Sequence, residues 1–313
     1  MRPSLWLLAL LLDAAEGMRR GSLLMRSVVK EGVESPFAMA RSLPLRMPTI
    51  ILVNTYEEKN VGSVSRAMLN YGCHDLRLVS PECNHLGDEA RRLAVGSVEL
   101  LENAKTFATL ADAVSDLQVV LATTARSRSA TFQTYQPTQA AEVLVTESSY
   151  ETTTKSLLMS GVVFGPEKNG LSNADLSLST GVINIPSFDA YPVLNLAQSV
   201  NTVCYEIYQR KLELDSRLSV SSTAGTREGE ESEVDKDPVA TQKDLDHFIL
   251  RLQQGLAARG FTGVKSKNNG NGKSGGELGE TQFTSLLRIA KRSGLTTKEL
   301  LMLNGMLTAL LRA

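Results

Sequence analysis

The sequence predicts an α/β fold with a largely parallel β-sheet. Short apolar runs rich in valine, isoleucine and leucine recur after residue 48, and segments with helical spacing separate them. Loops rich in glycine, asparagine, serine and proline follow these runs. Ligands of parallel sheets bind outside the carboxyl ends of the strands, so these loops are the expected place for a functional site.

Five of the apolar runs are predicted to be the main strands. They occupy residues 49–54, 75–80, 117–124, 161–165 and 181–186. Helical spacing is clearest at residues 63–71 and 194–212. The second of these helices carries one apolar stripe, formed by Leu196, Val200, Val203 and Ile207.

Residues 1–47 are predicted to be a targeting leader outside the fold. The apolar run at residues 5–12 is too short to span a bilayer, and scattered arginines and serines continue to Arg46. The apolar run alone fits a secretory signal, whereas the arginines favour transit into a plastid or mitochondrion. The alternative is a translation start near Met47, which would make the protein cytoplasmic. No other stretch reaches the length of about 18 apolar residues that a membrane helix needs.

Composition separates the rest of the chain into a core domain, a linker and a C-terminal unit. With 313 residues, 42% hydrophobic and 21% charged, the chain is globular and can bury a large core. Residues 48–212 form the predicted domain. Residues 213–238 are rich in serine and glutamate and lack periodicity, so we expect a disordered acidic linker.

Residues 239–313 are predicted to form a small helical extension with a basic exposed side. Thr296 and Glu299 have the spacing of a capping box. The helix that follows carries an apolar stripe formed by Leu300, Leu303, Leu307 and Leu310. Residues 262–280, rich in glycine, asparagine and lysine, are expected to be disordered. One interpretation is that the stripe packs on the core domain or on a second subunit. The alternative is that the unit contacts RNA.

Polar residues gather just after the predicted strands. Asn60, a candidate N-cap, Gly62, which permits close approach, and Arg66 follow the first strand. Arg126 and Arg128 lie after the third strand, at the rim of the expected pocket. Gly165 and Gly170 bound the loop after the fourth strand, and Asn195 is the expected cap of the helix after the fifth.

Several site classes are absent from the sequence. It contains no G-x-G-x-x-G after the first strand, no G-x-x-x-x-G-K-[ST] and no G-x-S-x-G. Its three cysteines and three histidines lack the spacing of a zinc site, so no metal is expected. These residues by themselves predict a ligand-binding α/β domain.

Three segments together resemble the motifs of the SpoU branch of the SPOUT RNA methyltransferases, most closely the TrmJ-like enzymes. They are "NVGSVSRAMLNYG", "VVFGPEKNGLSNADL" and "INIPSFDAYPVLNLAQSVNTVCYE", in that order. The resemblance covers residues 48–210 and is weaker in the C-terminal helices. The sequence departs from the family at Pro166, where arginine is common, and at Val193, where serine is common.

The resemblance implies a parallel sheet whose C-terminal part forms a trefoil knot, a rare exception among protein folds. It also implies S-adenosylmethionine as cofactor, a homodimer, an RNA substrate with tRNA favoured over rRNA, and methylation of a ribose 2′-hydroxyl. No metal or membrane is expected. The residues that the family pattern assigns to the cofactor are Thr123, Thr124, Ala125, Gly165, Glu167, Ile185, Val193, Leu194 and Asn195. Arg126 and Arg128 are candidates for RNA contact.

Arg66 and Asn60 are the catalytic candidates under this resemblance. The family's arginine is proposed as the base, but a guanidinium with a pKa above about 12 is a poor base near neutral pH. An electrostatic role on a phosphate and the developing oxyanion is therefore favoured for Arg66, with Asn60 helping to orient it. An RNA-binding SPOUT protein without catalysis is the alternative function. A nucleotide-dependent dehydrogenase is more remote, because the glycine fingerprint is missing.

Overall fold

The structure of the protein is a computed structural model that describes most of the chain. The described residues are 34–125, 132–146, 157–223, 237–259, 285–287, 289–291 and 293–312. Most of the predicted leader, the acidic residues 224–236 and the predicted disordered insert at residues 262–280 lie outside them. Within the described residues, no helix combines the length and the apolar character that a membrane crossing requires.

The described residues form a seven-stranded sheet in which every pairing is parallel. The strands are β1 (Thr49–Val53), β2 (Leu76–Val79), β3 (Lys105–Phe107), β4 (Val119–Thr123), β5 (Thr134–Tyr135), β6 (Ser160–Phe164) and β7 (Gly181–Ile183). Their order is β3-β2-β1-β6-β4-β7-β5. The predicted α/β class and the main strands are confirmed. The sequence analysis missed β3 and β5, the short strands at the two edges, because neither contains an apolar run.

Helices cover both faces of this sheet. They are α1 (Pro36–Arg41), α2 (Glu58–Asn70), α3 (Asp88–Ala94), α4 (Val98–Glu102), α5 (Leu110–Val114), α6 (Pro137–Leu144), α7 (Asn173–Ser177), α8 (Leu196–Thr223), α9 (Gln242–Ala258) and α10 (Thr297–Arg312). Alternate residues of a strand point to opposite faces. Ile50 and Leu52 accordingly pack with α2, α6 and α8, whereas Ile51 and Val53 pack with α5 and α7. The trefoil knot stays a prediction.

Gly62 allows α2 and α3 to pack at very short distance. A Cβ atom at this position would lie 2.2 Å from the carbonyl oxygen of Ala90. Real contacts of that kind do not occur, so any larger residue would push the helices apart. The close approach predicted at Gly62 is therefore made by the backbone of α3.

The predicted leader is too long at its carboxyl end. Ser35 caps α1 by accepting a hydrogen bond from the backbone N–H of Ala38, and Pro36 occupies the first helical turn. Phe37, Leu45 and Met47 are then buried in the main core. The prediction rested on the arginines of this segment, whereas its apolar residues belong to the fold.

The predicted linker also begins too early. Helix α8 continues to Thr223, and Leu214 is 1% exposed, so this part of the segment is neither irregular nor fully solvated. Leu214 extends the stripe of Val203 and Ile207 by two further turns. Lys211 pairs with Asp215 at 2.5 Å across one helical turn. The charged residues Glu213 and Arg217, which are exposed, and Asp215, which is partly exposed, thus lie on the outer side of a helix.

The C-terminal unit has its own small core and docks on the main domain. Ala240, Leu245, Ile249, Ala290 and Leu300 form that core. The start of α9 contacts the turn before β4, where the backbone N–H of Gln242 donates to the carbonyl of Leu117 at 2.9 Å. The side chain of Gln242 donates to the carbonyl of Gln118 at 3.0 Å. Contact of this unit with the main domain is therefore established by α9.

Two details of the C-terminal prediction are wrong and one is confirmed. The capping box forms, because Glu299 accepts from the backbone N–H of Thr296 at 2.8 Å. Leu310 does not belong to a buried stripe, since it is 69% exposed. Lys291 is one of the five basic residues in 281–313 on which the predicted basic side rests, but it does not contribute to a basic surface, since it is 4% exposed and lies 3.3 Å from Asp246. Burial lowers the pKa of Lys291 despite this carboxylate.

An ionic network anchors the amino end of β2. Arg77, 3% exposed, donates to both carboxylate oxygens of Asp116, at 2.5 and 2.8 Å, and to Asp75 at 3.2 Å. Thr49 also donates to Asp75, at 2.9 Å. Burial raises the pKa of both carboxyls, but the charge and hydrogen bonds of Arg77 outweigh it, so each pKa lies below its ordinary value.

Replacing Arg77 with methionine should destabilise the fold. The change leaves the carboxylate of Asp75, 8% exposed, without its main partner, and the free energy of unfolding should fall by about 3 kcal/mol. Arg92→Met is the matched control, because the Arg92–Glu89 pair is exposed and such pairs contribute at most about 1 kcal/mol. Urea unfolding at pH 7 compares the two variants. Equal losses in both would contradict the importance of the network.

The same network predicts a pH dependence. A carboxyl whose folded pKa is depressed contributes stability above its unfolded pKa of about 4, and the contribution is lost as the pH falls through the folded value. The difference in unfolding free energy between wild type and Arg77→Met should therefore shrink when the pH is lowered from 7 to about 3. A difference that stays constant over this range would show that the depressed pKa values do not stabilise the fold.

Candidate functional site

A cavity of about 210 Å³ opens at the carboxyl edge of the sheet. Its walls come from the segments that follow β4, β6 and β7 and from the first turn of α8. All predicted cofactor residues except Asn195 line it: Thr123, Thr124, Ala125, Gly165, Glu167, Ile185, Val193 and Leu194. The structure thus brings together residues that lie up to 71 positions apart in the sequence, from position 123 to position 194.

Other lining residues were not predicted. They are Phe164, Pro166, Lys168, Asn169, Gly170, Leu171, Ile183, Pro192, Leu196 and Ser199. Most belong to the quoted motifs, so proximity to Gly165 or Leu194 was the signal that could have found them. Ser199 lies one helical turn after Asn195, a spacing that places both on one side of α8.

The loop after β6 can close only because it contains two glycines. A Cβ atom on Gly165 would lie 2.4 Å from the backbone nitrogen of Leu171. Gly170 has a φ of +65°, in the left-handed region that favours glycine, and its N–H donates to the carbonyl of Pro166 at 2.9 Å. This tight loop presents its main chain to the cavity.

Glu167 ties the loop after β6 to the segment after β1. Its carboxylate accepts hydrogen bonds from the hydroxyl of Thr55 at 3.0 Å, the amide of Asn60 at 2.9 Å and the backbone N–H of Tyr56 at 3.4 Å. Thr55 is fully buried. With three donors around it, Glu167 acts as a fixed structural anion of the site.

Asn60 and Asn195 extend this network to α8. The side chain of Asn195 donates to the side-chain oxygen of Asn60 at 2.9 Å and accepts from the backbone N–H of Ala197, also at 2.9 Å. The predicted capping role of Asn195 is confirmed. The predicted capping role of Asn60 is wrong, because α2 begins after Glu57 and Asn60 lies in its first turn. The amide of Asn60 is used instead for contacts across the site.

The thiol of Cys83 lies in this electrostatic environment. Burial, together with the negative charges of Glu167 and Glu58, raises its pKa to about 11. The group therefore stays protonated near neutral pH and is a poor nucleophile. Among the described residues, no group of three or more His, Cys, Asp or Glu side chains could hold a metal ion.

Arg66 is the predicted site residue that the structure separates from the cavity. It follows Asn60 by six residues, which corresponds to about 240° of rotation and about 9 Å of rise along the helix. It is exposed on α2 and does not line the cavity. Arg126 and Arg128, the candidates for RNA contact, lie outside the described residues.

This geometry suits binding of a ligand with polar edges and apolar faces. The backbone of three loops supplies donors and acceptors, and Leu171, Ile183 and Ile185 supply apolar surface. The anchored Glu167 holds the walls in place.

Comparison with known proteins finds similarity to RNA methyltransferases along most of the chain. The model of the SpoU rRNA Methylase family matches residues 47–205. LasT of Escherichia coli K12, described as an uncharacterized tRNA/rRNA methyltransferase, is 36% identical over 159 residues, which are 51% of this chain and 67% of LasT. The tRNA (cytidine-2′-O-)-methyltransferase TrmJ of Methanocaldococcus jannaschii is 31% identical over 188 residues, 59% of this chain and 77% of that protein.

A solved structure extends the similarity into the C-terminal unit. The crystal structure of TrmJ from Z. mobilis ZM4 has a TM-score of 0.63 and 30% sequence identity, and the match covers 84% of this chain and 98% of that one. The family match spans about half of the chain and includes every residue that lines the cavity. The chain therefore belongs to the SpoU rRNA methylase family of RNA methyltransferases, as its three motifs predicted.

Proposed function

We propose that this protein transfers a methyl group from S-adenosylmethionine to a ribose 2′-hydroxyl of tRNA. The observation that carries the proposal is the cavity at the carboxyl edge of the sheet. Its walls come from the second and third quoted motifs and from residues 123–125, and Asn60 of the first motif bonds to Glu167 in the wall. Glu167, Asn60 and Asn195 connect these regions by direct hydrogen bonds. A site assembled in this way can hold a ligand in one orientation, which a displacement at a methyl group requires.

The residues present fit the proposed cofactor. Adenine has apolar faces and polar edges, and the cavity offers apolar side chains beside main chain brought close by Gly165. The Val193 side chain lies where related sequences commonly have serine, so only its backbone can bond to the ligand. When bound, S-adenosylmethionine supplies an activated methyl group. The protein's own part is to hold it, exclude water and align the ribose oxygen.

The relatives support tRNA over rRNA as the substrate. TrmJ of M. jannaschii is named for methylation of the cytidine 2′-oxygen in tRNA, and the similar solved structure from Z. mobilis is also a TrmJ. The family description mentions rRNA and that of LasT mentions both, so rRNA is the second candidate. We also propose, from the resemblance to the SPOUT family, that the chain is threaded as a trefoil knot.

The proposal can be tested with purified protein, tRNA and S-adenosylmethionine carrying a labelled methyl group. We expect label in tRNA, and mass spectrometry of the digested RNA should find it on ribose. Gly165→Val should abolish cofactor binding in calorimetry, because its side chain would collide with the backbone of Leu171. Label on a base would refute ribose methylation.

The alternative, an RNA-binding protein without catalysis, predicts a different result in the same experiment. Such a protein would bind tRNA, and no tRNA or rRNA would gain label at any cofactor concentration. The intact network of Glu167, Asn60 and Asn195 speaks against this alternative, because a protein that only binds RNA does not need an ordered cavity at this edge.

We further propose that a second copy of the chain brings Arg66 to the cavity. Arg66 is exposed, does not line its own cavity, and lies about 240° around α2 from Asn60. It shares an exposed side of α2 with Lys59 and Asn70. The adjacent helix α8 exposes Tyr205 by 44% and Leu212 by 43%. A symmetric dimer through these two helices would cover these apolar side chains and carry Arg66 to the partner.

Mixed dimers test this arrangement. Arg66→Ala alone should lower kcat about 10²–10³-fold, because a preorganised charged donor is lost. Arg66→Lys should not restore it, since a point charge does not replace a planar fork. Mixing Arg66→Ala subunits with Gly165→Val subunits should recover about one quarter of wild-type activity, because half of the dimers then contain one complete site. No recovery would show that Arg66 acts within its own subunit or not at all.

We propose an organellar location on the basis of the arginine-bearing leader. The fold takes up residues 35–47, so the targeting signal is expected within residues 1–33. Fusing residues 1–33 to a fluorescent protein should direct the reporter to plastids or mitochondria. A uniform cytosolic signal would refute the location.

A further inference from the structure

We propose that Lys168, held over the ring of Tyr56, binds a phosphate of the substrate RNA at the rim of the cavity. The inference rests on the proposed function, because it assigns a contact for an RNA substrate of the same site. It concerns two side chains that take no part in the hydrogen bonds of Glu167, Asn60 and Asn195, although the backbone of Tyr56 does. Neither residue was a candidate in the sequence, where Lys168 is one of many exposed lysines and Tyr56 a residue beside two glutamates.

The position of the ammonium group is the first observation. The Nζ atom of Lys168 lies 4.6 Å from the centroid of the Tyr56 ring, within the range of a cation–π contact. Lys168 lines the cavity, whereas Tyr56 does not. An ammonium held over that ring therefore lies at the rim of the cavity, on the side of α2.

The charge of Lys168 is available for a ligand. Glu167 and Lys168 are the charged residues among those that line the cavity. Glu167 accepts three hydrogen bonds from Thr55, Asn60 and Tyr56. Across the described part of the chain, no carboxylate lies within ion-pair distance of Lys168. Lys168 is also exposed, so its positive charge faces solvent.

The ring of Tyr56 restricts where that charge can lie. A free lysine loses much rotamer freedom when it binds a phosphate, and a contact that already restricts the side chain reduces this cost. Tyr56 is itself held in place, because its backbone N–H donates to Glu167 and its neighbour Thr55 is buried. The aromatic ring thus connects the ammonium to the same anchor that organises the cavity.

A phosphate is the expected ligand because the proposed substrate presents one on each side of the reacting ribose. A lysine ammonium binds phosphate as a point charge without strict geometry, which suits an exposed residue at a rim. The carboxylate of the cofactor is the other anion that could reach Lys168. The position over Tyr56, which lies outside the cavity, favours the RNA phosphate.

The test measures tRNA binding and cofactor binding separately, using transcribed tRNA as the probe. Lys168→Ala should weaken tRNA binding about tenfold and lower the slope of log affinity against log salt by about 1, because one phosphate contact is lost. Its affinity for S-adenosylmethionine, measured by calorimetry, should not change. Lys168→Arg should bind tRNA like wild type, since it keeps the charge and stacks on aromatic rings.

The role of the ring has its own pair of variants. Tyr56→Phe keeps the ring and should bind tRNA like wild type, whereas Tyr56→Leu should lose about threefold in affinity. Lys243→Ala is the matched control for loss of one exposed lysine that has no carboxylate partner among the described ion pairs. The backbone N–H of Lys243 donates to the carbonyl of Ser115, shortly before β4, so Lys243 lies at the amino edge of the parallel sheet, opposite the cavity. This control should leave the salt slope unchanged.

Three outcomes would overturn the inference. If Lys168→Ala weakens cofactor binding and leaves tRNA binding intact, Lys168 serves the cofactor carboxylate. If it behaves like Lys243→Ala in both assays, it is an ordinary surface lysine, while wild-type methylation of tRNA would still stand. If wild-type protein binds no tRNA, the inference and the proposed tRNA substrate fail together.

Discussion

The carboxylate of Glu167 is the interaction on which the rest of the site depends. It accepts hydrogen bonds from Thr55, Tyr56 and Asn60, and Asn60 in turn accepts a hydrogen bond from Asn195 at the start of α8. Three segments that are distant in sequence, around residues 55–60, 167 and 195, are thereby fixed at one edge of the sheet. If a donor moved away, the half-buried carboxylate would lose a hydrogen bond without regaining full hydration. The network therefore favours one arrangement of the segments.

Glycines determine how closely the chain can fold around this anchor. Gly165 lets the loop after β6 turn back on Leu171, and Gly62 lets α2 lie against the backbone of α3. The first contact shapes the cavity and the second sets the position of the helix that carries Asn60. In both places a backbone lies against the glycine. A movement of a side chain could therefore not make room for a larger residue at either position.

The sequence predicted the features that depend on neighbouring residues. It did not predict the features that depend on partners far away in the sequence. Runs of Val, Ile and Leu predicted β1, β2, β4, β6 and β7, whereas β3 and β5 owe their conformation to the neighbouring strand. Asn195 was predicted as a cap because capping involves residues two and three positions away. The use of Asn60 could not be predicted in the same way, because its partners are Glu167 and Asn195. Burial of Lys291 depends likewise on Asp246, on another helix.

In the arrangement that we propose, the tasks of the site are divided between backbone and exposed cations. The cavity is shaped by main chain, glycine and an anion whose donors are already in place, so its geometry is insensitive to changes in surface charge. Lys168 and Arg66, by contrast, are exposed, and neither has a carboxylate partner among the described ion pairs. Attraction to phosphate acts through such exposed charge and is screened by salt. A protein built in this way can alter which RNA it binds by replacing rim residues, while the cavity that holds the smaller ligand stays the same.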